Sequence, residues 1–308
     1  MHLRAISYLL LGMLGISIGD TMIKMLSGDY ALHQLVCIRA AISLILLMPV
    51  LLRRGITALR TSRPGMHALR GLMLVIANMT YFTGLASLPM AESSAVVFSA
   101  PVIITLLSFW LLGERFGVGR WVAVLVGLAG MVLVVQPFGA NLEFAYLWPL
   151  AAAFGYAGFT TLTRSLGRTE SAALLAVSAQ GSFFVTSLLM GIFVGDGRFA
   201  GTGNPNLEFL LRAWRWPAVD DLGLIVMIGL VSAVIALSLS AAYRSAQASF
   251  LAPFEYSNLP LVLLWGYLVF GDFPNTLALA GIGLIAAGGM IMIFTESRRR
   301  ARERLVGV

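Results

Sequence analysis

Long apolar stretches separated by short polar connections make up almost the whole chain. Each stretch has about the 20 residues that a helix needs to cross a bilayer. Because the hydrocarbon core offers backbone groups no water, each stretch is predicted to be a helix. The pattern predicts ten spans, at 5–26, 31–52, 66–88, 91–112, 118–136, 143–164, 171–194, 219–243, 247–270 and 275–296. The longest connection, 195–220, is rich in glycine and proline and is predicted to be a loop or interfacial segment.

The composition excludes a water-soluble domain. Apolar residues make up 59% of the 308 residues and charged residues only 11%, whereas soluble domains contain about 25% charged residues. The mean hydropathy is +0.89. The single cysteine, Cys37, lies inside an apolar span, so the sequence offers no disulfide framework and no cysteine zinc site. We expect a plasma-membrane protein, in the inner membrane if the source is a bacterium, with neither cofactor nor metal.

The arginines predict the orientation of the chain. Cytoplasmic connections of membrane proteins are enriched in Lys and Arg, and with a cytoplasmic N-terminus 16 of the 21 basic residues fall on the cytoplasmic side. These are Arg4, Arg53, Arg54, Arg60, Arg63, Arg70, Arg115, Arg120, Arg164, Arg168, Arg244, Arg298, Arg299, Arg300, Arg302 and Arg304. Both termini are therefore expected to be cytoplasmic, and the basic balance needs no nucleic-acid partner.

The two halves of the chain resemble each other. A shift of 158 positions places the Gly113–Glu114 pair on Gly271–Asp272 and Gly130 on Gly288. Five spans per repeat is an odd number, so the repeats must lie inverted in the membrane, an architecture common among secondary transporters. The fold prediction is an all-α membrane protein of ten transmembrane helices in two inverted five-helix repeats, residues 1–137 and 138–308.

These motifs resemble the drug/metabolite transporter superfamily in its ten-helix EamA form. The resemblance rests on Leu111-Leu112-Gly113-Glu114-Arg115 and Gly127-Leu128-Ala129-Gly130 in the first repeat, and on Phe270-Gly271-Asp272 with Gly281-Ile282-Gly283 in the second. The segment Gly19-Asp20-Thr21-Met22-Ile23-Lys24, followed by Gln34 and Arg39, is similar to the subgroup described as S-adenosylmethionine uptake carriers. The resemblance implies a transporter of small metabolites.

Glu255 is the most informative candidate for substrate binding. It lies about 12 Å into the ninth span, where an ionisable side chain is costly and is a functional-site hypothesis by default. Pro253 and Pro260 flank it and free backbone carbonyls. Asn258 and Trp265 share its helical face. A carboxylate, an amide and an indole on one face would suit a cationic or zwitterionic amine; the alternative is a protonated glutamic acid that bonds a neighbouring helix.

Further polar and aromatic side chains are candidates to line the binding site. They are Asn78 and Tyr81 in the third span, Ser94 and Phe98 in the fourth, and Tyr243 in the eighth. Helix packing is the alternative for each, because small hydroxyl groups in membrane helices often bond only to neighbouring backbone. Glycine and alanine clusters on the first, fifth, sixth and tenth spans are interpreted as contacts within the bundle rather than as a dimer interface.

Three charged residues near the outer ends of the first two spans form another group. Asp20 could pair with Lys24, four residues on, or with Arg39 in the second span. We interpret Asp20, Lys24 and Arg39 as a gate or structural ion pair rather than as direct ligand groups. Lys24 can also extend its ammonium group to the membrane interface.

The function predicted from these features is secondary active transport by alternating access. The substrate is a small organic metabolite, cationic or zwitterionic, and the energy source is a gradient, a proton gradient being the simplest. A membrane-embedded enzyme acting on a lipid-linked substrate, or a channel or lipid-moving protein, is the alternative. The expected partners are the small-molecule substrate and the lipid bilayer, with the chain as a monomer or a homodimer.

Overall fold

The computed structural model describes residues 2–53, 55, 61–100, 103, 118–136, 144–166, 170, 172–245 and 254–306. In these ranges the chain forms eleven α-helices and no β-strand. The helices are α1 (His2–Met25), α2 (Leu32–Leu52), α3 (Pro64–Leu85), α4 (Met90–Val97), α5 (Val118–Val135), α6 (Leu147–Leu166), α7 (Ala172–Val194), α8 (Pro205–Leu211), α9 (Val219–Ser245), α10 (Asn258–Phe270) and α11 (Thr276–Val306).

The prediction of an all-α multi-pass membrane protein is confirmed. Six of the described helices are long and apolar enough to cross a membrane, namely α1, α2, α3, α7, α9 and α11, and shorter apolar helices run at 121–135 and 258–270. The predicted fourth and ninth spans fall partly outside the described residues, so the count of ten stays a prediction. The last helix continues ten residues beyond the predicted end of its span, to Val306.

The helices pack in a small number of close pairs. Helix α5 packs along α11, α3 along α6, and α1 along α9, while α2 lies between α7 and α9. Helices α4 and α10 contact each other, and each also contacts the first helix of the opposite half, α6 and α1 respectively. The bundle core therefore joins residues from both halves of the chain.

Glycines allow the closest of these approaches. A Cβ atom added to Gly281 would lie 2.6 Å from the carbonyl oxygen of Gly130, and one added to Gly130 would lie 2.7 Å from the carbonyl oxygen of Gly281. At the α1–α9 contact, a Cβ atom added to Gly12 would lie 2.7 Å from the side chain of Leu239. These small residues act within the bundle, as expected for helices that are held together by close van der Waals packing.

One end of the bundle is covered by the segment 195–218, and we call this the capped end. Arg212 donates to the Ser27 carbonyl oxygen at 3.0 Å, and the Trp214 indole donates to His33. Gln34 donates to the carbonyl oxygen of Arg215 at 2.5 Å. Phe209 of α8 is buried in the main apolar cluster. The segment predicted as a loop is therefore folded onto the turn between α1 and α2.

Replacing Gly281 by valine is expected to destabilise the α5–α11 contact. The new side chain would press against backbone atoms of Gly130 and Val134, which cannot rotate away. Overpacking of this kind costs about 1–3 kcal/mol. Gly283, two residues on, has open space around a Cβ atom and provides the control. Thermal unfolding of purified protein should show a lower melting temperature for Gly281→Val and little change for Gly283→Val; equal effects would contradict the packing.

Candidate functional site

Asp20 lies at the centre of a hydrogen-bond network inside the bundle. The Tyr81 hydroxyl of α3 donates to Asp20 Oδ2 of α1 at 3.0 Å, and it lies 3.0 Å from the Ser94 hydroxyl of α4. Ser94 is buried, whereas Asp20 and Tyr81 keep part of their surface accessible. The structure thus brings two predicted binding residues, Tyr81 and Ser94, to an acid that was predicted to act as a gate.

Arg39 lies beside this network and makes different contacts. Its guanidinium donates to Asn78 Oδ1 at 2.9 Å. The ring centroids of Phe183 and Phe82 lie 5.0 Å and 5.8 Å from its central carbon. Asp20 and Arg39 interact electrostatically, but within the described residues they form no direct ion pair. Asn78 and Tyr81 are three residues apart on α3, which places both on one helical face.

The second half of the chain contacts α1 close to this network through α10. The Trp265 indole donates to the Ser17 hydroxyl of α1 at 3.2 Å, one helical turn before Asp20. Asn258 lies at the first turn of α10 and is buried, and among the described residues its Oδ1 atom accepts no hydrogen bond. Trp265 therefore contacts α1 one turn from Asp20. The side-chain carbonyl oxygen of Asn258 has no hydrogen-bond donor among the described residues.

Glu255 lies in a separate, aromatic environment. Its carboxylate is close enough to the phenol groups of Tyr156 and Tyr256 to interact with them electrostatically. The rings of Tyr256 and Phe98 lie 5.2 Å apart. The backbone turns at Tyr256–Ser257 before α10 begins, so helical structure is interrupted where the sequence places the flanking prolines. Pro253 lies outside the described residues, as does the side chain of Tyr243.

The partner of Lys24 is an acid from the other half of the chain. Lys24 Nζ lies 3.1 Å from Asp272 Oδ2, donates to the Leu88 carbonyl oxygen at 2.9 Å and lies 4.8 Å from the Phe270 ring centroid. We call this contact between α1, the α3–α4 turn and the α10–α11 turn the Lys24 clasp. It lies at the capped end. The sequence left Asp20 a choice between Lys24 and Arg39, and the structure pairs it directly with neither.

Two buried ionisable residues were missed by sequence reasoning. Glu92 of α4 is buried and accepts a hydrogen bond from the Tyr146 hydroxyl. Its position inside an apolar run was the available signal. Arg70, which the sequence groups with the loop arginines, is also buried and donates to Thr163 Oγ1 at 2.7 Å and to Ser178 Oγ at 3.2 Å. It joins α3 to α6 and α7 at the end opposite the cap.

A groove of about 390 Å³ lies near Arg70, between α3 and α7. It is lined by His67, Leu72, Ser178, Ser182, Val185 and others, none of which is a predicted site residue. Leu72 and Val185 are exposed there, which is the pattern of a lipid-facing surface. No cluster of His, Cys, Asp and Glu among the described residues could hold a metal ion. The candidate binding groups are therefore those of the Asp20 network and Glu255.

Comparison with known proteins shows what the first half of the chain is similar to. Residues 3–136 match the EamA-like transporter family. These residues are an EamA domain of the drug/metabolite transporter superfamily. The resemblance seen in the sequence motifs is thereby confirmed, and the family indicates a transporter rather than an enzyme.

Curated relatives extend the similarity over nearly the whole chain. A riboflavin transporter of Vibrio cholerae is 29% identical over 87% of this chain and 84% of its own length. An S-adenosylmethionine uptake transporter of Rickettsia prowazekii is 26% identical over 96% of this chain and 95% of its own length. A pseudopaline exporter of Pseudomonas aeruginosa is 26% identical over 91% of this chain and 92% of its own length. These bacterial relatives are named for both uptake and export.

A solved crystal structure shares the fold. It aligns with 95% of this chain and 98% of its own chain at a TM-score of 0.60 and 21% sequence identity. At this identity the match supports the helical architecture alone.

Charge reversal tests the Lys24 clasp. Lys24→Glu would place two carboxylates together beside the Leu88 carbonyl, and so it should lower the melting temperature of the purified protein. The double variant Lys24→Glu/Asp272→Lys restores the attraction and should recover part of the loss. The control is Arg198→Glu, since the pair of Arg198 with Asp196 is 56% exposed on each side, and this charge reversal should change little. A double variant no more stable than Lys24→Glu would show that the ion pair contributes nothing.

Proposed function

We propose that this protein is a secondary active transporter that carries a small cationic or zwitterionic metabolite by alternating access. The observation that carries the proposal is that Asp20 and Arg39 lie inside a multi-pass membrane bundle and bond to neutral side chains of α3. Charged groups in the hydrocarbon region are rare and mark substrate or ion pathways. Asp20 of α1 and Arg39 of α2 are such groups, and the indole of Trp265 of α10 contacts α1 one turn from Asp20.

The pairing of the helices supports two inverted repeats. If five helices form each repeat, α1 corresponds to α6, α2 to α7, α3 to α9, α4 to α10 and α5 to α11. Exchanging the repeats turns the α1–α9 contact into α6–α3, the α2–α9 contact into α7–α3 and the α1–α10 contact into α6–α4, all of which occur. The α5–α11, α2–α7 and α4–α10 contacts map onto themselves. Alternating access in such folds moves one repeat against the other around a site near the midplane.

The Lys24 clasp is suited to close one side of the pathway. It joins the first half, through Lys24 and Leu88, to Asp272 of the second half. A movement of the halves at the capped end would separate the ammonium group from Asp272. Lys24 then serves as the gate that the sequence predicted, with Asp272 as its partner.

The proposed substrate chemistry rests on Glu255 and on the names of the relatives. S-adenosylmethionine is a zwitterionic amino acid with an additional sulfonium cation, so the half-buried carboxylate of Glu255 near aromatic rings is a suitable partner for it. A carboxyl group can hold either a proton or a cation but not both, which is the simplest device for exchanging one for the other. We therefore propose that Glu255 couples transport to a proton gradient across a bacterial inner membrane.

Glu255→Gln is expected to abolish gradient-driven uptake and its pH dependence. The amide keeps the size of the side chain but can neither release a proton nor neutralise a cation. Binding of S-adenosylmethionine should weaken by about 1–3 kcal/mol, the cost of losing a charged hydrogen-bond partner. The measurement is uptake of radiolabelled S-adenosylmethionine or riboflavin into proteoliposomes at several pH gradients. Glu208→Gln, outside the spans, is the matched control. Wild-type rate and pH profile in Glu255→Gln would make Glu255 a structural residue.

Cysteine labelling tests the proposed orientation, in which the capped end faces outward. Both Gly201, in the cap, and Ser62, at the opposite end before α3, are exposed. The native Cys37 is buried and can be replaced by serine. A membrane-impermeant maleimide should label Gly201→Cys in intact cells and should label Ser62→Cys only after lysis. The reverse pattern would place both termini outside.

A further inference from the structure

We propose that Asp20 and Arg39 bind the two charged ends of an α-amino acid group, Asp20 the ammonium and Arg39 the carboxylate. This inference rests on the proposed transport function and names the substrate class of that site. The sequence predicted a gate role for Asp20, Lys24 and Arg39. Here Asp20 and Arg39 are assigned a ligand role, and the gate role is kept for Lys24 alone.

The two charges lie at a similar level in the bundle. Asp20 is five residues before the end of α1 and Arg39 is seven residues after the start of α2. At the rise of an α-helix these positions are about 8 Å and about 11 Å from the capped end. Both side chains lie deep among protein atoms, and both keep accessible surface. The bundle thus encloses both side chains without sealing them completely.

Neutral partners on α3 hold the two charges apart. Tyr81 donates a hydrogen bond to Asp20, and Asn78 accepts one from Arg39. Each charged side chain therefore bonds to a neutral side chain of α3 and not to the other charged side chain. Residues three apart on a helix have Cβ atoms about 5–6 Å apart. Asn78 and Tyr81 therefore hold the guanidinium and the carboxylate along one face of α3, each through its own hydrogen bond.

Each charged group keeps hydrogen-bonding capacity. Within the described part of the chain, Asp20 accepts through Oδ2 only and Arg39 donates through Nη2 only. The remaining oxygen of Asp20 and the remaining nitrogens of Arg39 are not sealed from solvent. An unpaired charge away from water is costly, and a hydrogen-bonded partner of opposite sign offsets that cost. An α-amino acid supplies one ammonium and one carboxylate on adjacent atoms, which matches the pair.

The surroundings favour a charged ligand over a water-filled gap. Phe82 and Phe183 lie beside the Arg39 guanidinium, and Trp265 approaches from the other half of the chain. Aromatic side chains exclude water, and charge interactions strengthen as the surroundings become less polar. A metabolite carrying an amino acid group would therefore be held by that group.

The test combines ligand truncation with substitution of the protein. Binding to purified full-length protein in nanodiscs is measured for S-adenosylmethionine, for its decarboxylated form and for its deaminated form. Wild-type protein should lose about 10- to 100-fold in affinity on each truncation, the scale of one charge-assisted hydrogen bond. In Arg39→Gln, removal of the ligand carboxylate should cost nothing further, and in Asp20→Asn the same should hold for the ammonium.

The exposed pair Arg198–Asp196 provides matched controls. Its side chains are each 56% exposed, and Arg198→Gln and Asp196→Asn should bind all three ligands as the wild type does. Should Arg39→Gln fail to fold, Asp20→Asn decides, because the assignment requires that removal of the ligand ammonium cost nothing further in that variant. Truncation costs that persist unchanged in both variants would also overturn the inference.

Riboflavin separates this inference from the proposed function, because it carries neither an ammonium nor a carboxylate group. Uptake of riboflavin without binding of S-adenosylmethionine or of any standard α-amino acid would overturn the assignment and leave transport intact. Binding of an α-amino acid that is lost in Arg39→Gln would support the assignment, and gradient-driven uptake of that amino acid would support transport.

Discussion

The cost of a charged group in hydrocarbon organises this structure. An uncompensated charge is unfavourable by several kcal/mol in a low-dielectric interior, so each interior charge must meet a partner or a polar cavity. Arg70 meets hydroxyl and carbonyl groups of α6 and α7, and Lys24 meets Asp272. Asp20 and Arg39 differ from these residues, because both bond to neutral groups of α3 and each keeps atoms that can form further hydrogen bonds. That difference separates charges that hold the bundle together from charges that can bind a ligand.

Much of the fold follows from the sequence, because hydrocarbon allows few backbone solutions. The predicted spans at 31–52, 118–136 and 171–194 agree with α2, α5 and α7 within two residues at most ends. Glycine spacing correctly indicated close packing, as at Gly130. The cap was not predictable, since its order depends on contacts such as Trp214 with His33, far apart in sequence. Turn residues in 195–218 revealed a loop but not the surface on which it folds.

The candidate site was predictable residue by residue but not in its pairings. Periodicity placed Asn78 and Tyr81 on one face, and the structure shows what that face contacts. The partner of Lys24 lies 248 positions away, and no local pattern identifies it. Glu92 was overlooked because it is the second residue of the predicted fourth span, 91–112, where an acid resembles a helix-end residue. The spacing of residues in the sequence predicts which side chains share a face of a helix. Which helix faces contact each other depends on tertiary packing.

A ligand-bound structure by cryo-electron microscopy tests the central claim most directly. We propose that a small molecule binds inside the bundle and between its two halves, among Asp20, Arg39, Tyr81 and Trp265. With S-adenosylmethionine in excess, density is expected within hydrogen-bond distance of Asp20 and Arg39. Density confined to the groove between α3 and α7 beside His67, with the Asp20 network unchanged, would contradict it.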